Sequence, residues 1–168
     1  MNKRYVGIDP SSKTGLVILD ENANVLVEEE IKVKHRDDPL RMIQISEMIN
    51  SHLQDSDSII IEGFSFQSKG KGISFQFGLG WVIRSMLFYG KYTYIDVPPT
   101  VVKKFCCNKG NAKKEDLIQP IKEKWGYENN SDNILDAYIM ARIAWSMDNH
   151  ENLKLYEKKI IRDLLKSK

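Results

Sequence analysis

Apolar and polar positions divide the chain into strand-like runs at the front and helix-like stripes behind. Arg4 to Asp9 and Thr14 to Leu19 read as strands separated by Pro10-Ser11-Ser12. The turn cluster Asp20 to Asn24 follows, and then Val25 to Lys34 alternates, with Val25, Val27, Ile31 and Val33 on one face. Asp37-Asp38-Pro39 opens a helix whose expected buried stripe is Leu40, Ile43, Ile45, Met48, Ile49 and Leu53. Ser58 to Glu62 carries the unbroken run Ile59-Ile60-Ile61, typical of a strand covered on both faces. A glycine- and lysine-containing segment, Gly63 to Gly72, leads to a helix over Ile73 to Tyr89 and a strand over Tyr92 to Val97. Beyond Pro98-Pro99, helices are expected over Thr100 to Cys106, Lys113 to Trp125 and Ser131 to Met147. From Glu151 on, Leu153, Leu155, Ile160, Ile161, Leu164 and Leu165 mark an amphipathic tail. Phe75, Phe77, Trp81, Trp125 and Trp145 are assigned to the core.

Three strands with short connections form an antiparallel meander, and two α-connected strands add a parallel part. The expected architecture is α/β: a mixed five-stranded sheet flanked by helices, in the element order of the ribonuclease-H-like fold. The length of 168 residues suits one core. Residues 1–150 are expected to form that domain and residues 151–168 a helical tail of it.

Composition changes this picture little; charge placement changes it more. The formal net charge is +2, which neither demands nor forbids a nucleic-acid partner. From Asp20 to Asp38 there are seven acids against three bases, while Gly63 to Arg84 holds three bases and no acid. From Lys103 to Lys124 there are seven lysines against three acids. Such basic clusters suit phosphate backbones. No apolar run approaches the ~20 residues of a membrane span. The opening Met1 to Tyr5 lacks a leader's apolar stretch, so a cytoplasmic location is expected. Cys106 and Cys107, the only cysteines, are expected to be reduced. His35, His52 and His150 are scattered and expected at the surface.

The candidate chemistry is carboxylate chemistry. Asp9 ends the first strand and Glu62 the fourth, and ligand sites in such sheets gather at the carboxyl ends of strands. If the two strands are parallel neighbours, the acids lie side by side and need a cation between them. A late helix adds Asp132 and Asp136, four apart on one face, with Ser131 as its N-cap and Ala137 and Ala141 small enough for close approach. Each acid alone reads more simply as a cap or turn residue; together they point to a hard-metal site for Mg²⁺ or Mn²⁺.

Several stretches resemble RuvC-type Holliday junction resolvases over about residues 4 to 147. Gly7-Ile8-Asp9-Pro10-Ser11 with Thr14-Gly15 is similar to the family's first motif, and Ile61-Glu62 followed by aromatics to its second. Leu79-Gly80 and Arg84 resemble a helix of the family. Val102-Lys103 and Ala112-Lys113-Lys114 resemble its basic stretch, and Asp136-Ala137 its last motif. The compact form is similar to phage-encoded members. Two positions depart: Ser65 stands where the family carries phenylalanine, between Phe64 and Phe66, and Asn133 stands where it carries an acid, beside Asp132.

The resemblance implies a homodimeric endonuclease that cuts branched DNA, above all four-way junctions, with two Mg²⁺ ions (Mn²⁺ substituting) per site. Asp9, Glu62, Asp132 and Asp136 are the expected metal ligands, with Asn133 an alternative to Asp132, and Lys114 is the expected catalytic cation. Lys69, Lys71, Arg84, Lys103, Lys113, Phe64 and Phe66 are the expected DNA contacts, and the helix Ile73 to Tyr89 the expected interface. The alternatives are another ribonuclease-H-like nuclease acting on RNA–DNA hybrids or flaps, and a catalytically inactive nucleic-acid-binding module. Sugar kinases and actin-like ATPases start with a similar strand but need a second phosphate loop, which is not visible here.

Overall fold

The computed structural model describes residues 3–34, 37–64 and 72–166. Strands β1 (Tyr5–Asp9), β2 (Thr14–Leu19) and β3 (Val25–Ile31) form the expected meander. Helix α1 (Leu40–His52) leads to β4 (Ser58–Glu62), and α2 (Ile73–Tyr89) to β5 (Tyr94–Val97). Helices α3 (Pro99–Cys107), α4 (Glu115–Trp125), α5 (Asp132–Ser146) and α6 (Leu155–Lys166) follow. The sheet order is β3-β2-β1-β4-β5. β1 pairs antiparallel with β2 and parallel with β4, and β4 parallel with β5. This is the mixed, ribonuclease-H-like arrangement.

The two-residue period of the strands sorts side chains into two cores. Val6, Ile8, Leu16, Ile18, Ile59 and Ile61 face α1 and α2. Tyr5, Val17, Leu19 and Ile60 face the layer of α3, α4, α5 and α6. By the same parity Gly7 and Asp9, like Tyr5, and Glu62, like Ile60, project toward α5.

Helix α5 lies unusually close to the sheet. A Cβ on Gly7 would come within 2.6 Å of the Ala141 nitrogen and press into the Ala137 carbonyl, and one on Gly15 would come within 2.6 Å of the Asn133 carbonyl carbon. Ala137 and Ala141 are the expected small residues on the helix side; the glycines beneath them complete the contact. Ser131 caps α5 as expected, its Oγ accepting from the Ile134 N–H at 3.4 Å.

Four expectations about the core are corrected. In α1 the buried side is Met42, Ile45, Ser46 and Ile49, while Leu40, Ile43 and Met48 are exposed. The 3.6-residue period rotates the apolar residues around the helix, and only those over the sheet are covered. In β3 the pairing jumps from Ile18–Val27 to Leu19–Val25, a bulge that turns Val25 outward from the face it was assigned to. Trp81 is 61% exposed, because the α2 face it occupies points away from the sheet. In the tail Leu155 and Leu165 are exposed, whereas Ile160, Ile161 and Leu164 are buried. Both cysteines are free thiols. No helix among the described residues is long and apolar enough to cross a membrane.

Candidate active site

Strands β1 and β4 run side by side with Ile8 opposite Ile61, so Asp9 and Glu62 are the next step in register. Both leave the sheet on its α5 face, at the carboxyl ends of their strands. Asp9 is 5% exposed, and its carboxyl is in hydrogen-bonding contact with that of Glu62. The close approach of α5 over Gly7 and Gly15 brings Asp136 down beside this pair. Lys114, at the start of α4, places its ammonium 3.9 Å from Asp136 Oδ2 and 3.6 Å from Asp132 Oδ2.

Three acids in one corner, Asp9 buried and Glu62 and Asp136 half-buried, perturb each other. Burial, then the charges of Glu62 and Asp136, raise the Asp9 carboxyl well above its ordinary range. Glu62 is pushed up to about 7, chiefly by burial and then by Asp136. Asp136 is raised by burial, against the opposing pull of Lys114 and Lys103. The corner thus holds excess negative charge that two lysines only partly balance. Among the described residues, no three His, Cys, Asp or Glu side chains are close enough as they stand to hold an ion together.

Of the other expected site residues, Asp132 stands at the first turn of α5, exposed and on the Lys114 side. Asn133 turns the other way: its Nδ2 donates to Glu30 Oε2 at 3.3 Å, and its Oδ1 accepts from Ser11 Oγ at 3.5 Å. Lys103 is half-buried near enough to act on Glu62 and Asp136, and Lys113 is exposed beside Lys114. Phe64 is half-buried over α2, stacked on Phe77 at 5.0 Å with Trp81 at 5.2 Å. Lys69, Lys71 and Phe66 lie outside the described residues.

Arg84 is a correction. It is 4% exposed, and its guanidinium is spent on Asp96, Gly80 and the Glu62 carbonyl. With four of its five N–H groups so engaged and the side chain enclosed, it does not stand at the surface as the sequence suggested. Its positive charge suggested a surface, and the acid that draws it inward, Asp96, lies on the neighbouring strand.

No protein-family model matches the sequence, and no curated protein matches it. Solved structures do. A Thermus thermophilus RuvC structure superposes with a TM-score of 0.64 at 16% identity, over 89% of this chain and 97% of that one. T. thermophilus RuvC in complex with a Holliday junction substrate gives a TM-score of 0.64 at 18% identity, over 82% of this chain and 90% of that one. The chain has the RuvC fold. Within it, Asp9, Glu62 and Asp136 lie at one end of the sheet.

The donor set fits a divalent cation bound through oxygen. The acids offer carboxylate oxygens, and their mutual repulsion favours a hard cation among them. Sequence reasoning missed two features that build this corner of the RuvC fold: the glycines under α5 and the Arg84–Asp96 pair. The first had a visible signal, Gly7 and Gly15 flanking the Asp9 turn opposite the Ala137 and Ala141 pair.

Proposed function

We propose that the chain is a structure-selective endonuclease that hydrolyses phosphodiester bonds in branched DNA, above all in four-way junctions, using divalent metal ions. The observation that carries this reading is the gathering of Asp9, Glu62 and Asp136 in one corner of a RuvC fold, with lysines against them. Asp9, Glu62, Asp136 and Asp132 would hold the two Mg²⁺ ions (Mn²⁺ substituting). When bound, the ions supply an activated water and stabilise charge on the leaving oxygen.

The chain's own groups have separable tasks. The proton that burial holds on the Asp9–Glu62 pair must leave before both carboxylates can act as ligands. Lys114 and Lys103 lower the cost of that ionisation, as their opposing influence on Glu62 indicates. Lys114, half exposed on a short tether from α4, is able to turn from Asp132 and Asp136 to a scissile phosphate and balance its developing charge. Lys103 and Lys113, with Lys69 and Lys71, would track the backbone. Phe64 and Phe66 lie on the segment that leaves Glu62, where an aromatic ring would meet an unstacked base.

A junction presents two symmetric strands, which suits a C2 dimer. We take α2 as its interface, because Trp81, Ser85 and Phe88 recur at i, i+4 and i+7 on its exposed side. A panel of four-way junction, flap, RNA–DNA hybrid and duplex, each with Mg²⁺ or EDTA, tests the reading. Mg²⁺-dependent symmetric nicking of the junction is expected. Preferential cleavage of hybrid or flap would move the function to another nuclease of the same fold. Junction binding without cleavage of any substrate would leave a binding module.

A further inference from the structure

We propose that Arg84 is a positioning residue, which grips the carboxyl end of β4 from the face of the sheet opposite the acids and so fixes both Glu62 and Phe64. The inference rests on the nuclease reading for its substrate, but its geometry stands apart from it.

Four of the five guanidinium N–H groups are engaged. Nη2 donates to the Glu62 carbonyl at 3.0 Å and Nη1 to the Gly80 carbonyl at 2.9 Å. Nε donates to Asp96 Oδ1 at 2.9 Å, and Nη2 bonds the same oxygen. The guanidinium plane also lies over the Phe64 ring, 4.3 Å from its centre. One side chain on α2 thus joins β4, β5 and the first residues of the segment that follows Glu62. The pairing with Asp96 alone would serve as an anchor between α2 and β5. The additional bond to the Glu62 carbonyl fixes the peptide plane next to a carboxylate of the acidic corner, and thereby the direction in which the chain departs through Gly63 to Phe64.

Gly80 shows that the arrangement is built into the helix. A Cβ there would lie 2.5 Å from Phe64 Cε1 and 3.1 Å from Arg84 Nη1. Glycine inside a helix is less favourable than alanine. Here its lack of a side chain leaves the space that ring and guanidinium share. Lysine cannot replace the fork, because it offers a point charge without the planar set of donors that reaches two carbonyls and a carboxylate at once.

The test uses the full chain with Arg84→Lys and Gly80→Ala, and Leu87→Ala as a control. Leu87 is a buried residue of the same helix outside the acidic corner, so its truncation reports loss of stability alone. Mn²⁺ affinity is measured on the free protein by calorimetry. Single-turnover junction cleavage is followed against Mg²⁺ concentration, junction Kd by anisotropy, and folding by circular dichroism. Arg84→Lys and Gly80→Ala are expected to weaken Mn²⁺ binding at least five-fold and raise the half-saturating Mg²⁺ similarly. Junction Kd should also rise, because both changes disturb Phe64, and Leu87→Ala should leave Mn²⁺ affinity and junction Kd unchanged despite a lowered Tm. If a folded Arg84→Lys or Gly80→Ala protein keeps wild-type Mn²⁺ affinity, or Leu87→Ala loses it equally, the positioning role is overturned and Arg84 is only an anchor. Should Arg84→Lys fail to fold, Gly80→Ala alone decides, since alanine favours the helix and only the clash acts against it. If wild type cleaves no substrate, the nuclease reading fails, while Mn²⁺ affinity still tests the positioning role.

Discussion

At the scale of single residues, the site separates groups that would hold metal from groups that would hold DNA. Asp9, Glu62 and Asp136 crowd one corner, where replacing a carboxylate by its amide removes charge and a ligand with little change of shape. Asp9→Asn, Glu62→Gln and Asp136→Asn are each expected to reduce Mg²⁺-dependent junction cleavage by at least about 10³-fold, with junction affinity kept within a few-fold. Cleavage within ten-fold of wild type by any one of them would remove that residue from the ligand set. The lysines should divide differently. Lys114 touches the acidic corner, so Lys114→Ala is expected to lower the single-turnover rate far more than affinity. Lys103→Ala is expected to weaken junction binding and reduce the salt slope of log Kd by about one, the signature of one lost phosphate contact. Equal effects of the two substitutions on rate and slope would erase the distinction. The candidate acids stood out in the sequence because each lies in a motif, Asp9 and Glu62 at strand ends and Asp136 on a late helix. Arg84 was not: a basic residue on a helix implies exposure until its neighbouring strand, bearing Asp96, is known. Asn133 against Asp132 was open in the sequence. The structure turns Asn133 to Glu30 and Ser11, and leaves Asp132 beside Lys114.

At the scale of elements, nearly every strand and helix was legible from its period, and the errors are errors of facing. Strands have two faces, and in this sheet both are covered, so β1, β2 and β4 declare themselves by continuous apolar runs. A helix stripe is broader and its covered sector depends on the partner, which is why Ile43 and Met48 of α1 were assigned inward although they are exposed. A bulge leaves no trace in alternation until the pairing is known, and Val25 was misassigned for that reason. The contact that matters most for the site is α5 on the glycines of β1 and β2, since it carries Asp136 to Asp9. Gly7→Ala tests it. The added methyl would press on the backbone of α5 at Ala137 and Ala141, and backbone cannot escape by changing rotamer. A destabilisation of about 3 kcal/mol or more is expected by urea unfolding, at or above the upper end of ordinary overpacking. A change under about 1 kcal/mol would mean that α5 does not rest on the sheet so closely.

At the scale of the whole molecule, assembly and charge remain to be tied to function. If α2 is the interface of a C2 dimer, Trp81→Asp places a charge at its centre and is expected to turn a dimer into a monomer in sedimentation velocity; an unchanged dimer would place the interface elsewhere. Charge gives a prediction whose sign follows from the acidic corner. Glu62 keeps its proton in the folded chain until about pH 7, against an ordinary value of 4.5. Between these two values the unfolded chain has ionised Glu62 while the folded chain has not, so the folded state binds more protons and stability falls as pH rises. Asp9 and Asp136 are raised as well and act with the same sign. Glu30 acts in the opposite sense, held down to about 2 first by Lys32 and then by Ser131, so its contribution disappears only as pH falls from 4.5 toward 2. The Glu62 window, from 4.5 to about 7, lies above that of Glu30. In EDTA, the difference in Tm between wild type and Glu62→Gln should therefore move against wild type from pH 5 to pH 7 and level off above it. Millimolar Mn²⁺ should raise wild-type Tm at pH 8 much more than at pH 5, because ligands must be ionised to bind. It should do less for Glu62→Gln at either pH. A wild-type advantage over Glu62→Gln that grows with pH in EDTA would mean that Glu62 is stabilised as a carboxylate without metal, and the corner would then need no cation.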